Sequence, residues 1–211
     1  MRRFDHWTPR YIRDRLAEIC YQRARPDHPW LTRAANQMLE SLLRPSDVGL
    51  EFGSGRSTLW FAKRLRHLTS VESNPVWHAR VQQMLRDNAI ANVDHVLIPK
   101  DRDDTHGGEA AYVRIIEDFA PDSVDFALVD GVYRDFCALK VLQVLRPGAV
   151  LVIDNVNWYL PCRSFSPDSR TFEQGPDGAI WNQVHLAISS WRRIWTSSGV
   201  TDTAFFFKPF G

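Results

Sequence analysis

The chain has 211 residues, of which 44% are hydrophobic and 24% charged, with a formal net charge of +1. That length suits one α/β domain with an added terminal segment, and the composition excludes a largely disordered chain. So balanced a charge offers no broad basic footprint for nucleic acid or an anionic membrane; a small-molecule or locally recognised substrate is expected, with a homo-oligomer left open. Cys20, Cys137 and Cys162 form no CxxC pair, no apolar run reaches about 18 residues, and the residues after Arg2 and Arg3 lack the apolar centre of a signal peptide. A cytoplasmic location with reduced thiols is therefore expected.

Thr8 followed by Pro9 is a helix start, and the helix runs to about Arg23 before Pro26 and Pro29 break it. Thr32 caps a second helix, in which Ala34, Ala35, Met38, Leu39, Leu42 and Leu43 recur at helical spacing up to Pro45. Residues 1–46 read as an N-terminal helical extension, and residues 47–211 as the main domain. From Asp47 onward short apolar runs alternate with amphipathic ones, the rhythm of a parallel sheet with crossover helices. Strands are predicted at Val48 to Phe52, Leu68 to Glu72, Asp94 to Pro99, Val124 to Asp130 and Ala149 to Asp154. Helices are predicted at about Ser57 to Arg66, Val76 to Asn88, Ala110 to Phe119 and Tyr133 to Leu145, the last stopped by Arg146-Pro147-Gly148. After a loop at residues 161–178, a helix from about Trp181 to Arg192 leads to strands at Ile194 to Ser197 and Thr203 to Lys208. Their short turn at Ser198-Gly199 requires an antiparallel pair.

The chemistry starts at Leu50 to Thr58, where the first strand turns into a helix through Gly53-Ser54-Gly55. Glycines here let the backbone approach a ligand, and the helix start leaves N–H groups facing it. Alone, such a turn often uses glycine only for a positive φ. Glu72, however, ends the next strand 17 positions after Gly55, where a carboxylate can accept hydrogen bonds from both hydroxyls of a ribose. A dinucleotide fingerprint would place a third glycine or alanine at the position held by Thr58. Glu51, two residues before Gly53, would repel a pyrophosphate and suits a cationic amino-acid end instead.

Glu51-Phe52-Gly53-Ser54-Gly55 resembles the first motif of class I S-adenosylmethionine-dependent methyltransferases, Glu72 their ribose acid, and Val129-Asp130 their fourth-strand motif. The resemblance implies a Rossmann-like α/β fold: a mostly parallel seven-stranded sheet of order 3-2-1-4-5-7-6, its last strand antiparallel, with helices on both faces. It also implies S-adenosylmethionine as cofactor, held by Glu51, Gly53, Ser54, Gly55, Ser57, Thr58, Glu72, Ser73, Asp101 and Asp130. Ser57 departs from the pattern, since many members carry a third glycine there. An NAD-linked oxidoreductase on a related sheet and a non-catalytic S-adenosylmethionine-binding protein stay open as alternatives.

Asp130 ends the fourth strand, and Asp154 and Asn155 end the fifth. If the two strands are neighbours, these hard oxygen ligands meet at the rim, a set suited to Mg²⁺ and similar to the metal site of catechol and caffeoyl-coenzyme A O-methyltransferases. Where those enzymes carry a lysine three residues after the first aspartate, this chain has Tyr133. Asp130 and Tyr133 are the catalytic candidates. The bland alternative has Asp130 capping a helix and Asp154-Asn155 forming an Asx turn. Trp158 and Tyr159 are candidates for an acceptor wall, His6, His28, His106 and His185 for a base, and Trp60 and Trp77 are assigned to the core.

Overall fold

A computed structural model of the chain describes residues 7–100 and 104–210. The strands among them are β1 (Val48–Phe52), β2 (His67–Glu72), β3 (Val93–Leu97), β4 (Val124–Val129), β5 (Leu145–Asp154), β6 (Arg192–Ser197) and β7 (Asp202–Phe207). They form one seven-stranded sheet of order β3-β2-β1-β4-β5-β7-β6. Strands β1 to β5 run parallel, and β7 lies antiparallel between β5 and β6. Both the order and the reversed final strand are those expected.

The helices are α1 (Pro9–Ala24), α2 (Arg33–Leu42), α3 (Arg56–Ala62), α4 (Pro75–Asp87), α5 (Ala111–Arg114), α6 (Arg134–Val141) and α7 (Gly178–Ala187). Thr8 and Thr32 cap α1 and α2 as expected, their hydroxyl oxygens accepting the N–H groups of Tyr11 and Ala35 at 3.2 Å. Among the described residues no helix is long and apolar enough to cross a membrane.

Strand alternation sorts the core into two layers. Leu50, Phe52, Val71, Ala127, Val129, Leu151, Ile153 and Phe206 pack with Tyr112 of α5, Cys137 and Val141 of α6 and Val184 of α7. The opposite face carries Leu68, Phe126, Leu128, Val152 and Phe205, covered by Trp60 and Phe61 of α3 and by Ala35 and Leu39 of α2. Helix α2 is thus part of the core layer. Its entry is also tied to the far strands: the Thr32 N–H donates to Thr203 Oγ1 (3.3 Å), and the Thr32 and Thr196 hydroxyls are hydrogen-bonded at 2.6 Å. Helix α1, by contrast, buries no residue.

Helices α3 and α6 end at Ala62 and Val141 rather than at Arg66 and Leu145, and three further elements differ from the prediction. The helix expected over Ala110 to Phe119 is a short α5 flanked by 3₁₀ turns at Asp104–Glu109 and Ile115–Asp118. Its run Tyr112, Val113, Ile115 and Ile116 is buried almost in full, so packing overrides helical periodicity among residues that favour it weakly. Strand β5 begins at Leu145 rather than Ala149, because Leu145 pairs with Val124 across a register shift that absorbs Arg146, Pro147 and Gly148. Helix α7 stops at Ala187 rather than Arg192, which frees Arg192 to pair with Phe207.

Because Leu39 is fully buried between α2 and the sheet, Leu39→Ala is expected to lower stability by about 2–5 kcal/mol. A urea melt followed by far-UV circular dichroism checks this; the loss should appear in a single transition for α2 and the sheet together.

Candidate active site

The site forms where β1, β2 and β4 end side by side. Gly53 has φ +96°, and a Cβ on it would lie 2.8 Å from the Gly131 N and 2.9 Å from the Asp130 C, so only glycine fits. Gly131 packs back against it: a Cβ there would lie 2.9 Å from the Gly53 N. Gly55 is different. Its backbone is extended, and its nearest neighbours would be 3.7 Å or more from an added Cβ, which leaves open space beside the turn.

Below the turn sits a buried polar node on the sheet face that α2 and α3 cover. Thr58 Oγ1 and Ser70 Oγ each donate to Glu51 Oε2 at 2.6 Å, and the Ser54 and Ser70 hydroxyls are hydrogen-bonded at 3.0 Å. Glu51 Oε1, equally buried, has no hydrogen-bond partner among the described residues. Burial pushes the Glu51 carboxyl up to about 7; the nearby hydroxyls of Ser57, Ser70 and Thr58 pull it down and the Asp130 charge adds to the rise. Thr58 is fully buried beneath the turn, so its hydroxyl serves Glu51. His95 closes the node: Nε2 is hydrogen-bonded to Ser54 Oγ at 3.0 Å, and the ring stacks on His78 at 4.0 Å. Burial, with His78 adding, lowers His95 to about 4, so it is neutral at pH 7.

Glu72 is held by backbone. Its Oε2 accepts the Ser54 N–H (3.1 Å), and its Oε1 accepts the N–H groups of Ser73 and Asn74 (2.7 Å each). Above the turn a cleft opens, lined by Trp30, Gly53, Ser54, Gly55, Arg56, Ser57, Trp77 and Asp130. Trp77 Nε1–H donates to the Ser54 carbonyl oxygen (2.6 Å), and the Trp30 ring stacks on Trp77 at 6.5 Å with the Arg56 guanidinium 4.9 Å from its centroid.

At the rim, β4 and β5 are neighbours, and Asp130, Asp154 and Asn155 come together as expected. They do not form a metal site. The Arg134 guanidinium lies among them, donating from Nη2 to Asp130 Oδ1 (2.7 Å) and from Nη1 to Asn155 Oδ1 (2.9 Å). Asp154 is turned away, its Oδ1 accepting from Thr203 Oγ1 at 2.6 Å, and burial, reinforced by the Asp130 charge, pushes its carboxyl up to about 8. With Asp130 Oδ1 and Asn155 Oδ1 held by a cation and Asp154 Oδ1 by a hydroxyl, the predicted Mg²⁺ triad is corrected: the three side chains as placed do not fit a divalent ion. Among the described residues no group of three or more His, Cys, Asp and Glu could hold a metal. Tyr133 precedes α6 in a left-handed conformation (φ +50°), its ring 6.4 Å from Tyr112 and 5.5 Å from the Lys100 ammonium. Asp101 lies outside the described residues.

The methyltransferase-domain family matches residues 50–156, from the base of the glycine turn through the whole rim. The chain belongs to the class I S-adenosylmethionine-dependent methyltransferases. No protein of curated function matches it in sequence. Among solved structures it is similar to the O-methyltransferase TomG from Streptomyces achromogenes, with a TM-score of 0.58 and 20% identity over 84% of this chain and 81% of that one. It is similar to an rRNA methylase from Streptococcus thermophilus (TM-score 0.55, 11% identity, 85% and 98% covered). A methyltransferase-like protein from Silicibacter pomeroyi gives a TM-score of 0.52 at 25% identity, with 87% and 91% covered.

Several residues of this methyltransferase site were not singled out by sequence. Trp77, assigned to the core, lines the cleft, whereas Trp60 is core as expected. Ser70 carries no spacing signal and matters through Glu51 on another strand; Arg134 follows Asp130 by four residues, but its bond to Asn155 comes only with the fold. Of the histidine candidates, His28 is hydrogen-bonded to Tyr21 (2.9 Å), and His6 and the side chain of His106 lie outside the described residues. Tyr159 stacks on Trp181 at 4.7 Å, which makes it loop packing, while Trp158 stays exposed.

Glu51 makes the methyltransferase's stability depend on pH. Its folded value of about 7 stands above the ordinary 4.5, so its contribution is complete below 4.5 and is lost as pH rises through 7. Asp154 adds a slope of the same sign up to about pH 8. Without ligand, Glu51→Gln is expected to be more stable than the parent at pH 8 by about 1–3 kcal/mol, and to show little gain at pH 4.5. Urea melts across this range check it.

Proposed function

We propose that this methyltransferase transfers a methyl group from S-adenosylmethionine to an oxygen, less readily a nitrogen, of a small-molecule acceptor. The observation that carries the reading is the 3.1 Å bond from the Ser54 N–H to Glu72 Oε2, which joins the glycine turn and the strand-end acid into one cradle. When bound, S-adenosylmethionine supplies a methyl group on a sulfonium, and the bonding pair stays with sulfur as the methyl moves to the acceptor.

Within that cradle each residue has a physical task. The three N–H bonds fix the Glu72 carboxylate and leave about one of its four lone-pair sites, on Oε2, for a ribose hydroxyl. Glu51 Oε1, buried without a hydrogen-bond partner among the described residues, suits an ammonium group, whose positive charge would return the carboxyl to its ionised form. Gly53, Ser54, Gly55 and Ser57 supply a surface without bulk along the cleft, and Ser73 continues it past the ribose acid. Asp130, at the junction of cleft and rim, accepts a hydrogen bond from the acceptor hydroxyl, and Tyr133 walls the same rim. Trp30 and Trp77 exclude water from the bound cofactor.

Oxygen as the receiving atom is supported by the likeness to TomG, an O-methyltransferase solved with S-adenosylmethionine. A near-neutral chain supports a small acceptor over a nucleic acid. The buried Glu51 carboxylate next to the turn disfavours a pyrophosphate, and with it the NAD-linked reading.

S-adenosylhomocysteine is expected to raise the melting temperature, with no shift from NADH, since a ligand of the native state stabilises it by mass action. The opposite pattern would overturn the assignment. Glu72→Gln is expected to weaken S-adenosylhomocysteine binding by about tenfold or more in isothermal titration calorimetry, the loss of charge-assisted bonds to hydroxyls.

A further inference from the structure

Every N–H of the Arg134 guanidinium is engaged, and every acceptor belongs to the rim. Nε donates to the Gly131 carbonyl (3.0 Å), Nη1 to the Asp154 carbonyl (2.8 Å) and Asn155 Oδ1 (2.9 Å), and Nη2 to the Asp130 carbonyl (2.8 Å) and Asp130 Oδ1 (2.7 Å). These are oxygens that a hard divalent ion between β4 and β5 would need. Two non-glycine residues take left-handed backbone to build the arrangement: Tyr133 (φ +50°), which starts α6 at Arg134, and Asn155 (φ +52°). Such conformations are strained for a residue with a Cβ and persist where the surroundings enforce them. The other end of the Asn155 amide is fixed too, Nδ2 donating to Thr201 Oγ1 at 2.6 Å.

We propose that Arg134 is a built-in cation that replaces a divalent metal at the acceptor rim and acts as a positioning residue for Asp130. A guanidinium stays charged at any working pH, and it binds through a fixed planar fork where a metal would bind by coordination. It holds Asp130 by backbone carbonyl and Oδ1 together. Oδ2 makes no hydrogen bond to a described residue, on a side chain that lines the cleft. Arg134 itself, with no donor to spare, does not touch the acceptor; its effect passes through Asp130. The positioning role rests on the methyl-transfer reading, whereas the exclusion of metal does not.

Mn²⁺ is the probe, followed by water-proton relaxation and electron paramagnetic resonance, with the full-length protein, so no acceptor need be known. The parent is expected to bind no Mn²⁺ at the rim at millimolar concentration. Arg134→Ala, which vacates the oxygens, is expected to bind it at least about tenfold more tightly, an affinity lost again in Arg134→Ala/Asp130→Asn and competed away by millimolar guanidinium. Arg134→Lys keeps a cation in place and is expected to exclude the ion as the parent does. Parent protein that binds Mn²⁺ in a manner abolished by Asp130→Asn overturns the proposal, and this measurement needs no Arg134 variant to fold. A folded Arg134→Ala that stays metal-free also overturns it, its fold judged by its melting transition. Binding of S-adenosylhomocysteine is measured separately, so failure of the cofactor reading is distinguished from failure of this one.

Discussion

Where β1 and β4 leave the sheet, Gly53 and Gly131 lie back to back with no room for a side chain on either. Backbone hydrogen bonds lock the approach, from the Gly53 N–H to the Val71 carbonyl and from the Asp130 N–H to the Phe52 carbonyl, both at 2.9 Å. The rest of the site follows from this closeness. It sets Asp130 beside the glycine turn, lets the Ser54 N–H meet Glu72 on the next strand, and places Gly131 so that its carbonyl accepts from Arg134. A methyl group at either glycine would push these strand ends apart.

Electrostatics is the second theme. Glu51, Glu72, Asp130 and Asp154 crowd one end of a sheet in a chain that is nearly neutral overall. The fold handles each by a different means. Glu72 is satisfied by backbone N–H groups, and Asp130 is paired with Arg134. Asp154 is buried against Thr203 and pushed toward its protonated form. Of these four acids, Glu51 keeps a buried oxygen with no hydrogen-bond partner among the described residues, a costly arrangement. The field at the cleft therefore suits a sulfonium nucleoside better than a pyrophosphate.

The N-terminal helices divide in role. Helix α2 supplies Ala35 and Leu39 to the core, and the residues just before it, Trp30 and Leu31, reach the cleft. Helix α1 buries nothing, although Arg10 lies 4.2 Å from the Phe165 ring of the loop after β5. That loop is itself pinned to the start of β7, Ser166 Oγ donating to Asp202 Oδ1 at 2.6 Å. Both segments border the rim from outside the common sheet, where selectivity for an acceptor would be built.

Local signals reach as far as neighbours along the chain. Alternating apolar runs and the hydroxyl caps before Pro9 and Arg33 depend on residues close in sequence, and so the strands and both N-terminal caps were legible from residues alone, whereas the sheet order followed from the family resemblance of the glycine turn and the acid after β2. The breaking of the expected 110–119 helix was not, because burial of Ile115 and Ile116 against the sheet outweighed local preference. Nor was the fate of the oxygen triad. Residue types at two strand ends say that hard ligands converge, but a side chain entering from the start of α6 decides whether an ion can join them. Charge placed by one element on the ends of two others is a property of the packed chain, set by backbone angles at Tyr133 and Asn155 that no spacing of residues discloses.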